Sequence, residues 1–154
     1  MATEARTDAR LGTDRRPLAA LLVIGAAGVL VSGYVHYYLY FEGGYRGIQP
    51  ESVLGLTISR SFLLNAAAGV LIAEAAVVAL RRSAWVLPAA IAGVVFSAGA
   101  LGAYAMSRTV GLLGFTERAG STEAVIAIAA ETLALAAFLG VLVLALGRRA
   151  RAPA

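Results

Sequence analysis

Apolar residues along this chain fall into four long runs, at about 18–41, 53–80, 84–106 and 124–146, divided by short stretches where arginine, glutamate, glycine and serine collect. Each run is near the roughly 20 residues that carry a helix across the hydrocarbon of a bilayer. Hydrocarbon offers backbone amides no partner, so a spanning segment must satisfy its own backbone and is helical unless strands close into a barrel. No alternation of apolar and polar positions marks barrel strands. The pattern therefore predicts an all-α fold, a bundle of four transmembrane helices over residues 18–146. A disordered, arginine-rich tail is expected at 1–17 and a short tail at 147–154. The second run is the longest; it either begins as an interfacial segment over Val53 to Ser59 or takes up its length by tilting.

Composition agrees with lipid as the main solvent. The chain has 154 residues, of which 60% are hydrophobic, against about 45–50% in soluble domains. The net charge of +4 comes from thirteen basic residues, all arginine. They gather at the ends of the apolar runs rather than on one face, so they read as topology signals and contacts for lipid head groups, not as a nucleic-acid surface. If the amino terminus is cytoplasmic, nine arginines (Arg6, Arg10, Arg15, Arg16, Arg81, Arg82, Arg148, Arg149 and Arg151) lie inside and four (Arg46, Arg60, Arg108 and Arg118) outside. The positive-inside rule then predicts both termini in the cytoplasm, and the inner membrane of a bacterium is the expected location. Arg15 and Arg16 before an apolar stretch also have the outline of an export signal. The stretch continues to the aromatic cluster at Tyr37–Phe41 without a small-residue cleavage site, so it is expected to remain as a span. Absence of cysteine removes disulfides, thiolate nucleophiles and sulfur-ligated metal.

Lipid gives helices no hydrophobic reason to associate, so small residues that let backbones approach are expected at the contacts. Gly25, Gly28 and Ser32 form such a stripe in the first helix, Asn65, Gly69 and Ala73 in the second, and Ala89, Gly93 and Ser97 in the third. These stripes predict contacts within the bundle or between copies. Pro88 falls early in the third helix, where its missing amide proton costs least.

Three ionisable residues lie inside the runs, Arg60, Glu74 and Glu131. A charge at the centre of a span costs about 2.5–3.5 kcal/mol on insertion scales, so each needs a partner or a role. Arg60 and Glu131 are expected at similar depth, which predicts an ion pair between the second and fourth helices with Asn65 one turn deeper. Together with His36 and Tyr104 they could instead line an outward-facing polar pocket for an anionic or proton-coupled ligand. Glu74 is a second intramembrane carboxylate, about 21 Å deeper than Arg60 by helical rise and too far to pair with it; it is expected to meet Arg81, Arg82 or Arg16 reaching from the cytoplasmic side, or to be protonated. His36 stands in the run Tyr34–Phe41, an aromatic belt of the kind found at head-group level. Haem ligation by His36 with Met106 opposite is the alternative, but no second histidine or CxxCH motif accompanies it.

The segment Ser107 to Glu117, rich in glycine and apolar side chains, is expected to lie against the membrane surface or to meet a partner, and Ser121-Thr122-Glu123 reads as a helix start. Ser107 to Glu117, followed by a glutamate-bearing last helix and taken with the aromatic end of the first helix and the arginine-rich termini, resembles a family of small, uncharacterised four-span integral membrane proteins of high-GC bacteria. The resemblance covers most of the chain and implies a standalone multi-pass membrane protein. It brings no catalytic motif.

Two functional readings remain open at this point. One is a non-enzymatic scaffold or accessory subunit whose loops engage a protein partner or a second copy. The other is a small-molecule or ion-handling protein that uses the pocket of His36, Arg60, Asn65, Tyr104 and Glu131. Neither requires a metal or a cofactor, and no nucleophile and base can be assigned.

Overall fold

Hydrophobic runs of this length bury their backbone polar groups by coiling, and the computed structural model, which describes residues 2–48, 53, 55–117 and 120–150, consists of four long helices and short connections. The helices are α1 (Ala2–Phe41), α2 (Ile58–Arg81), α3 (Val86–Thr109) and α4 (Thr122–Ala150). Each contains a stretch long and apolar enough to cross a membrane, at Arg15–Phe41, Ile58–Arg81, Ser83–Thr109 and Thr122–Arg148. The chain is a four-helix bundle of the multi-pass membrane type.

The element boundaries depart from the hydrophobic pattern at the starts of α1 and α2. Helix α1 begins at Ala2 and passes through Pro17, so residues 2–17, expected as a disordered tail, are helical; alanine, arginine, glutamate and leucine there are good helix formers. Helix α2 starts at Ile58 rather than near 53. The hydroxyl oxygen of Thr57 accepts from the Arg60 amide at 3.2 Å and caps it, while Val53 and Leu56 exchange backbone hydrogen bonds across a tight turn. Helix α4 starts where the sequence signals, with the Ser121 hydroxyl accepting from the Ala124 amide at 3.1 Å. Between α2 and α3 only a short 3-10 turn, Ser83–Trp85, intervenes.

Helix α1 lies against α2 and α4, α3 lies mainly against α4, and α1 and α3 are diagonal. Small residues set these contacts. A Cβ on Gly69 would stand 2.6 Å from the Val29 carbonyl oxygen, and one on Gly28 would stand 2.8 Å from the Ala130 carbonyl oxygen. At these two positions the backbones touch, and only glycine fits. Phe138, fully buried, fills the centre, its ring against Gly25 of α1 and Gly93 of α3. The stripes expected on the first three helices therefore face the bundle interior. Their counterpart on α4 is Ala127, Ala130, Ala134 and Ala137.

The continuous hydrophobic core occupies one half of the bundle. Leu22, Ala26, Val29, Ala73, Ala76, Ala89, Phe138 and Val141 form a continuous core toward the end that carries the chain termini and the α2–α3 turn. Toward the other end, which carries the α1–α2 and α3–α4 loops, α2 and α3 part and a cavity opens.

Candidate functional site

The cavity has a volume of about 880 Å³ and is enclosed by the loop-end halves of the four helices and by the two loops. Its walls are mainly apolar, with Leu64 and Ala68 on α2, Val95, Phe96 and Gly99 on α3, and Ile128 on α4. Leu64 and Val95 are exposed, and a Cβ on Gly99 would meet nothing within 4 Å. The cavity is thus open sideways between α2 and α3, toward the region that hydrocarbon would occupy.

At its inner wall a polar chain links α1 to α4. Gly28 brings α1 against Ala130 and Ala134, and one turn later this close approach sets Ser32 opposite Glu131. The Ser32 hydroxyl, fully buried, donates to Glu131 Oε1 at 2.7 Å. Glu131 is 2% exposed, and it borders the cavity. One turn beyond Ser32, His36 Nδ1 lies 2.9 Å from the Ser32 carbonyl oxygen. A carbonyl only accepts, so Nδ1 carries a proton. Asn65, on α2, also borders the cavity, and its Oδ1 is buried without a hydrogen-bond partner.

Aromatic rings close the loop end. Phe62 meets His36 edge to face at 5.0 Å and Tyr45 at 4.8 Å, and Tyr45 meets Phe115 at 5.5 Å. Tyr45 belongs to the first loop and Phe115 to the second, so the loops are joined above the cavity. The Tyr45 hydroxyl donates to Glu117 Oε2 at 3.4 Å. Burial, and after it the Glu117 carboxylate, push the Tyr45 hydroxyl above its ordinary value. The second loop doubles back at a tight turn in which Leu112 and Phe115 exchange backbone bonds at 2.8 Å. Leu113 and Gly114 sit there at φ 50° and 70°. Positive φ at both central residues matches the twist of a two-residue hairpin, and for leucine it is strained. The Glu117 amide then donates to the Ser107 carbonyl at 3.0 Å, tying the loop to α3.

The structure brings His36, Asn65, Tyr104 and Glu131 around one cavity. One residue expected in that group, Arg60, lies elsewhere. Arg60 does not pair with Glu131: it is exposed on the first turn of α2, and its guanidinium turns back to donate to the Gly55 carbonyl at 2.6 Å. A long side chain near a helix end reaches the interface this way, and Ser32 takes the partnership instead. Glu74 is exposed on α2 outside the cavity. Met106 is exposed and does not border the cavity, so it does not face His36 across it. Sequence reasoning read Ser32 only as a small packing residue and missed Tyr45, Glu117 and Phe62 as cavity groups. The available signal was the four-residue step from Gly28 to Ser32 to His36, which puts a close contact, a hydroxyl and an imidazole on one line.

The fold and cavity together define a membrane-type four-helix bundle with a laterally open, carboxylate-bearing pocket. No protein-family model, curated protein or solved structure matches this chain.

Proposed function

We propose that this protein is a membrane-embedded binding protein for a hydrophobic organic cation, which enters the cavity sideways from the bilayer and is held by Glu131 and the surrounding rings. The observation that carries this reading is the charge of the lining. Among the described residues, Glu131 and Glu117 border the cavity and no arginine does. With Arg60 turned away, an anion would meet two carboxylates and no cation among the described residues, which favours a cationic ligand over the anionic one considered from the sequence. Phe62, Phe96, Phe115, Tyr45 and Tyr104 supply ring faces, and a cation over an aromatic face is stabilised by about 0.5–2 kcal/mol, more as water is excluded. Cavities of about 300–1,000 Å³ with apolar walls and a few convergent polar groups are the usual form of small-molecule sites. Under the predicted topology the cavity opens toward the outer leaflet.

Tetraphenylphosphonium and tetraphenylborate have nearly the same size and shape with opposite charge, and equilibrium binding of each to the detergent-solubilised protein tests the reading. The cation is expected to bind saturably and the anion not. Glu131→Gln is expected to weaken cation binding at least about tenfold, a loss of about 1.4 kcal/mol, while Arg60→Gln leaves it unchanged. Equal binding of both ions, or full binding by Glu131→Gln, overturns it.

A further inference from the structure

We infer that α2 carries a self-association face whose occupant is α2 of a second copy of this chain, with Glu74 of each copy meeting Glu74 of the other inside the membrane. Ala67, Val70, Glu74 and Val77 follow one another along α2 at steps of three, four and three residues, and all four are exposed. Alternating steps of three and four are the a and d positions of a heptad seam, the period on which two helices pack side by side along their length. None of Ala67, Val70, Glu74 and Val77 borders the cavity, and α1 is contacted by a different side of α2, through Gly69. The seam is therefore free of both roles already described.

Exposed apolar side chains on a spanning helix are satisfied by lipid, whatever their spacing. A carboxyl group is not. Glu74 lies seven residues before the end of α2 at Arg81, about 10.5 Å by helical rise, and it makes no salt bridge within 4.0 Å among the described residues. Among those residues it is the one exposed carboxyl in the middle turns of a span. Its position on the seam is the informative point, because a single polar residue at an a position is the device that fixes register and partner number between packed helices.

The chemistry of the group argues for a second copy as the occupant. Two copies related by a two-fold axis along the membrane normal bring the same patch together, so each seam residue meets its own counterpart at the same depth. Two carboxyl groups sharing a proton are mutual donor and acceptor, so Glu74 is complementary to itself. Val70 and Val77 would pack above and below the pair, and the small Ala67 allows the helices to converge toward the loop end.

The chain has no cysteine, so single cysteines report proximity without background. In native membranes treated with a short thiol-to-thiol crosslinker, Val70→Cys and Val77→Cys are expected to yield covalent dimers. Ile91→Cys, equally exposed but on α3, is expected to yield none. In the Val70→Cys background, Glu74→Gln should keep the dimer band, since an amide also donates and accepts, and Glu74→Leu should lose it. Leucine suits a lipid-facing position, and helical circular dichroism and a thermal midpoint equal to those of the parent protein establish that this variant is folded. Dimer bands at all three cysteine positions, no band at the seam, crosslinking to a different protein, or a band that survives Glu74→Leu each overturn the inference.

Discussion

Ser32 on α1 donates its hydroxyl hydrogen to Glu131 on α4 at 2.7 Å, in the interior of the bundle. The contact exists because Gly28, one turn earlier, lets α1 lie against the backbone of Ala130. Ser32→Ala keeps the packing but leaves the buried carboxyl without its donor, and an unsatisfied buried polar group costs about 1–3 kcal/mol. Ser32→Ala is therefore expected to lower the thermal midpoint in detergent, and Ser32→Ala with Glu131→Leu to recover most of the loss, since removing both partners is close to neutral. Arg60→Gln should leave the midpoint where it is. A large loss in Arg60→Gln would restore the ion pair with Glu131 that the geometry replaces.

Glycine positions separate by what a methyl group would meet. At Gly69 it meets the Val29 carbonyl oxygen at 2.6 Å, a backbone atom that moves only with the helix, and at Gly102 it meets nothing within 4 Å. Gly69→Ala is expected to destabilise the bundle by about 1–3 kcal/mol, the usual cost of overpacking. Gly102→Ala is expected to be neutral or mildly stabilising, since alanine is the better helix former by about 1 kcal/mol. Denaturation by a graded detergent mixture, followed by circular dichroism, distinguishes the two.

The Tyr45 to Glu117 contact joins the two loops over the cavity, and its pH dependence has a definite sign. The folded state raises the Tyr45 hydroxyl above its ordinary value, so the fold binds that proton more tightly than the unfolded chain does. The corresponding stability is fully present below the ordinary tyrosine value of about 10 and is lost as pH rises through the higher folded value. Loop protection from proteolysis is expected to fall over that alkaline window in the native protein, and Tyr45→Phe should remove that component of the fall. An identical alkaline profile in Tyr45→Phe would show that the hydroxyl does not hold the loops.

Much of the fold could be read before any coordinates. Hydrocarbon permits few solutions, so four runs of adequate length already imply four helices, and the steps of four at Gly69 and Ala73 or Ala89 and Gly93 mark interior faces. The site was legible only in part. His36, Asn65, Tyr104 and Glu131 stand out because polar groups are rare in such runs, but their partners depend on helix phase, which residue type does not reveal. Arg60 stands on the first turn of α2 while Glu131 lies nine residues into α4, and pairing them took no account of the loop carbonyl of Gly55 within reach of the guanidinium. Tyr45 and Glu117 belong to loops whose approach depends on turns at Gly111, Leu113 and Gly114, each with positive φ. Glycine hints at such a turn; Leu113 gives no hint at all.

Labelling of membrane carboxyls by a hydrophobic carbodiimide tests the central claim, that Glu131 is the polar anchor of a site for cations. Both Glu131 and Glu74 are expected to be modified in native membranes, with the modified residues read by mass spectrometry. Saturating tetraphenylphosphonium should suppress modification of Glu131 and leave Glu74 unaffected, because of these two only Glu131 borders the cavity. Modification of Glu131 that proceeds at the same rate with and without the cation would contradict the account.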